Sequence, residues 1–220
     1  MVDELLSDEE RAEALRDWWR ENWAWILGGV VLGVILLIGW HYWGVHREQR
    51  AEQAGALFHD VETAAQAQDL TKAQAALDKL GDDHKSTAYA QQARMLVAKL
   101  DVDAGKFAEA ETLLRAVAAD SKDKELGAIA QLRIARLLIQ QGKHEDAVKL
   151  VEPLTTGGFA AQAREIRGDA LFAKGDNEGA RAEYAAALTD VDAQIDRATV
   201  ELKLQDVGGV APSSSKQGQP

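Results

Sequence analysis

Residues 22–46 carry no formally charged side chain, and all six tryptophans of the chain fall between Trp18 and Trp43. An uncharged apolar run of this length admits few folds. As a helix, Trp23 to Trp43 would rise about 31 Å, close to the roughly 30 Å hydrocarbon core of a bilayer. Trp18, Trp19, Trp23 and Trp25 then fall at one headgroup level and Trp40, Tyr42 and Trp43 at the other, where amphipathic rings are favoured. The aliphatic residues from Ile26 to Ile38 together favour insertion by roughly 4 kcal/mol. Residues 23–43 therefore read as a single transmembrane helix. The segment before it, residues 1–22, is acidic and amphipathic, and His41-Tyr42-Trp43 stands where a removable signal would show small residues, so the span reads as a retained anchor. Arg11, Arg16 and Arg20 before the span against Arg47 and Arg50 after it only slightly favour a cytoplasmic N-terminus.

The stretch 47–207 is long enough for one domain with a sizeable core. From Arg47 onward it holds 28 acidic and 22 basic residues, a net charge near −6. That sign disfavours nucleic acid or an anionic lipid surface as the main partner. The chain contains no cysteine, which excludes a disulfide framework, a thiol nucleophile and a cysteine zinc site. Three prolines in a sequence dominated by Ala, Leu, Gln, Glu and Lys predict an all-α domain.

One frame recurs three times in this domain: a glycine, four residues, then an alanine. It appears as Gly105 to Ala110, Gly142 to Ala147 and Gly175 to Ala180, with glycines 37 and then 33 residues apart by subtraction. Twelve residues before each alanine stands another small residue, Ala98, Ala135 and Gly168, and four after comes Leu114, Val151 and Tyr184. The spacing is that of the tetratricopeptide repeat, a helical hairpin of about 34 residues. Small side chains let the two helices of a hairpin approach closely. The glycine supplies the left-handed conformation that ends the first helix and reverses the chain. Residues 47–68 and 70–80 predict a degenerate hairpin upstream, and 190–207, with Val191, Ile195, Val200, Leu202 and Leu204, predicts a C-terminal capping helix. The Gly-, Ser-, Gln- and Pro-rich tail, residues 208–220, has nothing to bury and predicts disorder.

These residues carry a resemblance. The leader Ala14-Leu15-Arg16-Asp17-Trp18-Trp19-Arg20-Glu21-Asn22, the span ending Ile38-Gly39-Trp40-His41-Tyr42-Trp43, and Leu132-Arg133-Ile134-Ala135-Arg136, Ile166-Arg167-Gly168-Asp169-Ala170-Leu171 and Lys174-Gly175-Asp176-Asn177-Glu178-Gly179-Ala180-Arg181 together resemble the YfgM family of ancillary SecYEG translocon subunits. The likeness runs from about Leu6 to Leu204. It implies a single-pass inner-membrane protein with a cytoplasmic N-terminus and a periplasmic repeat domain. It implies as partners the SecYEG translocon, the chaperone PpiD and polypeptides leaving the channel, and a restraining role toward a cytoplasmic response regulator in envelope stress. Two other functions fit the same residues: a membrane-anchored tetratricopeptide adaptor for another envelope assembly, and a stress-signalling protein acting through its leader.

No enzyme chemistry is legible. His41, His46, His59, His84 and His144 lack the spaced partners of a metal or general-base site, and Gly28-Gly29 and Gly208-Gly209 lack a phosphate-binding pattern. No cofactor and no small-molecule substrate is implied. Gly29 and Gly33 form a small-x-x-x-small pair that would admit a second membrane helix. The concave face of the array, lined by the first helix of each hairpin, is expected from repeat register to present Gln92, Met95 and Lys99, then Ile129, Leu132 and Arg136, then Gln162, Glu165, Asp169 and Phe172. Met95, Leu132 and Phe172 are the expected apolar anchors, with Glu111 on the opposite, outer face.

Overall fold

A computed structural model describes residues 8–84, 87–189 and 194–210. All regular structure among them is helical, and the chain divides into two compact units, Met1–Glu52 and Gln53–Pro220. Helix α1 (Asp8–Gln66) contributes residues to both.

The first unit is helical from Asp8 and includes the apolar run. Its large apolar side chains, Trp25, Leu37 and Trp40 among them, are exposed. The helix is long and apolar enough to cross a membrane. An uninterrupted apolar surface of this kind needs a nonaqueous partner. Trp40 meets Trp43 edge-on at 6.3 Å, and the Arg47 guanidinium lies 5.7 Å from the Trp43 ring centre. Cation and ring together suit the boundary between lipid and water. Residues 1–7, which include Leu5 and Leu6 of the leader, lie outside the described residues, as do residues 211–220 of the tail.

The second unit is a stack of helical hairpins. Its first hairpin pairs the last turns of α1 with α2 (Leu70–His84), which is interrupted at Gly81. Then follow α3 (Ala88–Asp103) with α4 (Phe107–Asp120), α5 (Lys124–Gln140) with α6 (His144–Val151), and α7 (Ala160–Ala173) with α8 (Asn177–Ala187). A short 3-10 turn, Glu152–Leu154, follows α6. Helix α9 (Arg197–Asp206) closes the series. The predicted cap therefore starts later than expected, at an Asp196 whose side chain accepts the Thr199 N–H at 3.3 Å. Ile195 packs from just outside the helix, and Val191 lies outside the described residues.

The repeat frame explains the hairpin geometry. Gly105, Gly142 and Gly175 have φ of 75°, 77° and 83°. Each donates its N–H three residues back, and the next N–H reaches five back: Lys106 to Asp101 O at 2.7 Å, Lys143 to Leu138 O at 2.8 Å and Asp176 to Leu171 O at 2.9 Å. This is the Schellman ending that satisfies the last helix carbonyls while turning the chain. The first hairpin makes the same pair of bonds, Gln68 to Ala65 O and Asp69 to Ala64 O, with Gln68 at φ 53° in the glycine's place. Five residues on stands Ala73, fully buried. The frame thus occurs a fourth time, with its glycine replaced.

The frame's small and apolar positions are the core. Ala98, Ala110, Ala135, Ala147, Ala180, Leu114, Val151 and Tyr184 are all buried. One continuous cluster joins α3 through α7, a second seats the first hairpin under α3, and a third joins α8 to α9 through Tyr184, Leu188, Val200 and Leu204. In the last hairpin the small residue faces an aromatic ring: a Cβ built at Gly168 would stand 2.5 Å from Tyr184 Cε1.

Candidate partner-binding groove

The first helices α3, α5 and α7 present the residues expected from register, but not on equal terms. Gln92, Lys99 and Arg136 are exposed, and Ile129 and Gln162 are half-buried. Met95 and Leu132 are core residues with 7% and 5% of their surface accessible. Phe172 keeps 50%. A first helix in a stacked array packs against its own hairpin and against the neighbouring one, so apolar positions on both sides of it are claimed by the core.

Three of these residues, Met95, Lys99 and Arg136, meet in one cleft of about 240 Å³ between α3 and α5. Ala98 and Val102 of α3, Leu114 of α4 and Leu137 of α5 make its apolar lining, and Arg133 and Gln140 complete it. Lys99 is drawn toward Asp103 on its own helix at 3.0 Å. Arg133 and Arg136 have no acidic partner among the described residues. Burial, and after it the Arg136 charge, pull the Arg133 guanidinium below its ordinary pKa. Register alone missed Arg133. Its signal was the i,i+3 spacing to Arg136, which puts both guanidinium groups on one helix face.

The acids of α7 are engaged inside the protein. Lys203 of α9 reaches Glu165 at 2.8 Å and Asp169 at 2.9 Å. Asp169 also accepts the Tyr184 hydroxyl at 2.9 Å, and the Gln162 amide donates to the Gln194 carbonyl at 2.9 Å. Burial pulls the Lys203 pKa down, but its hydrogen bonds to the two carboxylates outweigh this and hold it above the ordinary lysine value. Burial and the neighbouring Asp169 hold the Tyr184 hydroxyl well above the usual tyrosine range. Glu111, expected on the outer face, is tied down too. It accepts from Arg115 Nε at 2.8 Å and from the Gln141 amide at 3.3 Å, and these bonds hold its carboxyl low against the effect of burial.

Gly29 and Gly33 lie in α1, and a Cβ at either would meet nothing within 4 Å, so their backbone is open to approach. Among the described residues no group of three or more histidines and acids is placed to hold a metal ion.

A helix apolar and long enough to cross a membrane, followed by an array of stacked hairpins with mostly glycine turns, marks a helical-repeat protein with a candidate membrane span. The family described as tetratricopeptide repeat-like domain matches residues 16–209. The chain is 32% identical to an Escherichia coli (strain K12) protein named ancillary SecYEG translocon subunit, over 83% of this chain and 87% of the relative. Proteins of the same name from Haemophilus influenzae and Neisseria gonorrhoeae are 28% and 24% identical, each over 92% of this chain and 98% of the relative. The chain belongs to this tetratricopeptide repeat-like family and, within it, to the YfgM family of ancillary translocon subunits.

Proposed function

We propose that the protein is a non-catalytic accessory subunit of the SecYEG translocon, held in the inner membrane by residues 23–43 with residues 1–22 in the cytoplasm and residues 47–207 in the periplasm. The repeat array receives a periplasmic partner, PpiD by the family resemblance, and so brings chaperone activity to polypeptides leaving the channel. The face made by α3, α5 and α7 is the receiving surface, with Gln92, Lys99, Arg136 and Phe172 its accessible residues and Met95, Ile129 and Leu132 behind them. Gly29 and Gly33 admit a neighbouring membrane helix. The observation that carries the reading is that the likeness to the relatives covers 83% to 92% of the chain, more than residues 47–207 alone can account for. An adaptor sharing only the repeat would match over the array alone.

The test is crosslinking in native membranes followed by purification of the tagged chain. SecY and PpiD are expected in the eluate, and their absence under conditions that retain known SecY contacts overturns the reading. Protease added to spheroplasts is expected to degrade the repeats. Protected repeats with a cleaved leader would reverse the topology.

A further inference from the structure

The cleft between α3 and α5 is cationic in a chain whose net charge is −11. Several other cations of the array, among them Arg94, Arg115, Arg167 and Lys203, have a carboxylate within 4 Å. Arg133 and Arg136 stand one turn apart and press on each other instead. Like charges placed together at the edge of an apolar cleft cost free energy that an opposing charge would recover.

We propose that this cleft docks an acidic amphipathic helix of a partner protein, with apolar side chains seated against Met95, Val102 and Leu137 and carboxylates facing Arg133, Arg136 and Lys99. The proposal rests on the reading of this face as a partner-binding surface and adds the chemistry of the occupant. At about 240 Å³ the cleft is below the usual 300–1,000 Å³ of small-molecule sites and takes side chains rather than a free ligand. A nucleic acid or an anionic bilayer would bring the arginines their counter-charge but would also face the acidic surplus of the array. A short acidic segment would not. The helical form has a precedent in the same chain. On α7, Glu165 and Asp169 stand four residues apart and are bridged by Lys203 from the helix α9. On α5, Arg133 and Arg136 stand three apart and likewise share one helix face, so a carboxylate from a helix beside them can reach both, with the signs exchanged.

The experiment uses the full-length protein in nanodiscs of zwitterionic lipid and two labelled peptides built as amphipathic helices, identical except that one carries glutamate where the other carries lysine. Fluorescence anisotropy is expected to show the glutamate peptide binding at least about tenfold more tightly, with affinity falling as salt is raised. Arg133→Glu with Arg136→Glu is expected to invert the preference, and Lys149→Glu on α6 to leave it unchanged. Circular dichroism verifies that the variants are folded, and Arg136→Glu alone, expected to reduce the preference, serves if the double variant is not. Equal binding of the two peptides, an unchanged preference in the arginine variants, or equal displacement of the peptide by anionic vesicles would overturn the proposal. Copurification with SecY is measured in parallel. Peptide preference lost with SecY retained removes this proposal alone, whereas preference kept without SecY removes the translocon reading.

Discussion

The seam between α7 and α9 and the cleft between α3 and α5 are both formed by successive first-position helices of one array, yet they treat charge in opposite ways. In the seam, two carboxylates of α7 meet an ammonium of α9, and a buried tyrosine hydroxyl joins the same network. In the cleft, two guanidinium groups of α5 face an apolar wall. Repeat register makes the helices equivalent in backbone and leaves their side chains free to differ. The seam closes the array with its own terminal helix, which stacked repeats require. The cleft lies between two hairpins that are already capped by their neighbours, so its charge has no structural duty to perform.

The largest test of the comparison attacks the support of the seam. Gly168 lies under the Tyr184 ring, and that ring carries the hydroxyl that joins the network. Gly168→Leu would drive the ring out of the core, with an expected loss of about 3 kcal/mol from overpacking. Thermal or urea denaturation measures it. A loss below about 1 kcal/mol would mean that Tyr184 relaxes freely and that the seam is not a rigid closure.

Next comes the ion pair itself. Lys203→Ala leaves Glu165 and Asp169 half-buried with no cation between them, and about 2 kcal/mol is expected, discounted from the fully buried case because water reaches all three groups. The pKa of Lys203 is raised in the folded protein, so its contribution is fully present below the unfolded lysine value of about 10.4. It is lost as pH rises through the folded value. The wild type is therefore expected to lose stability on the alkaline side over a range in which Lys203→Ala shows no such loss.

What the sequence made legible follows the same division. The hairpins with a glycine turn were readable because only glycine takes the left-handed turn without strain. The first was harder, since Gln68 holds that conformation at φ 53°. Register placed Met95, Lys99 and Arg136 together, because neighbours on a helix face follow a fixed period. It did not reveal that Met95 is largely core, since both sides of a first helix are packed. Nor did it reveal that Lys203 claims Glu165 and Asp169, contacts 38 and 34 residues apart in sequence. Local periodicity carries no information about such distant pairings.

A buried acid tests whether unmatched charge is costly when water is excluded. Asp101 is fully buried; Gln74 donates to its Oδ1 at 3.0 Å, and its Oδ2 has no hydrogen-bond partner. Burial raises its pKa, against the pull of Lys106. A raised acid binds its proton more tightly folded than unfolded. Stability therefore falls as pH climbs from the unfolded value of about 3.9 through the folded one, and the full cost is present above it. Asp101→Asn is expected to be about 1 kcal/mol more stable than wild type at pH 7, with the difference shrinking toward acid. A variant less stable than wild type at pH 7 would show that the carboxylate is compensated.

The smallest expected effect is also the one that most directly separates the two regions. Arg133→Gln and Arg136→Gln remove a charge while keeping much of the apolar stem, so the contact with the cleft is retained. Because neither guanidinium has an acidic partner among the described residues, each change is expected to stay within about 0.5 kcal/mol of wild type. Its sign should be stabilising, through relief of repulsion between the two. Screening weakens that repulsion, so the gain should be larger at low ionic strength and vanish in high salt. Lys203→Ala must show the reverse sign under identical conditions. If Arg136→Gln instead destabilises by an amount like that of Lys203→Ala, the arginine holds the fold together, and the contrast between a closed seam and an open cleft fails.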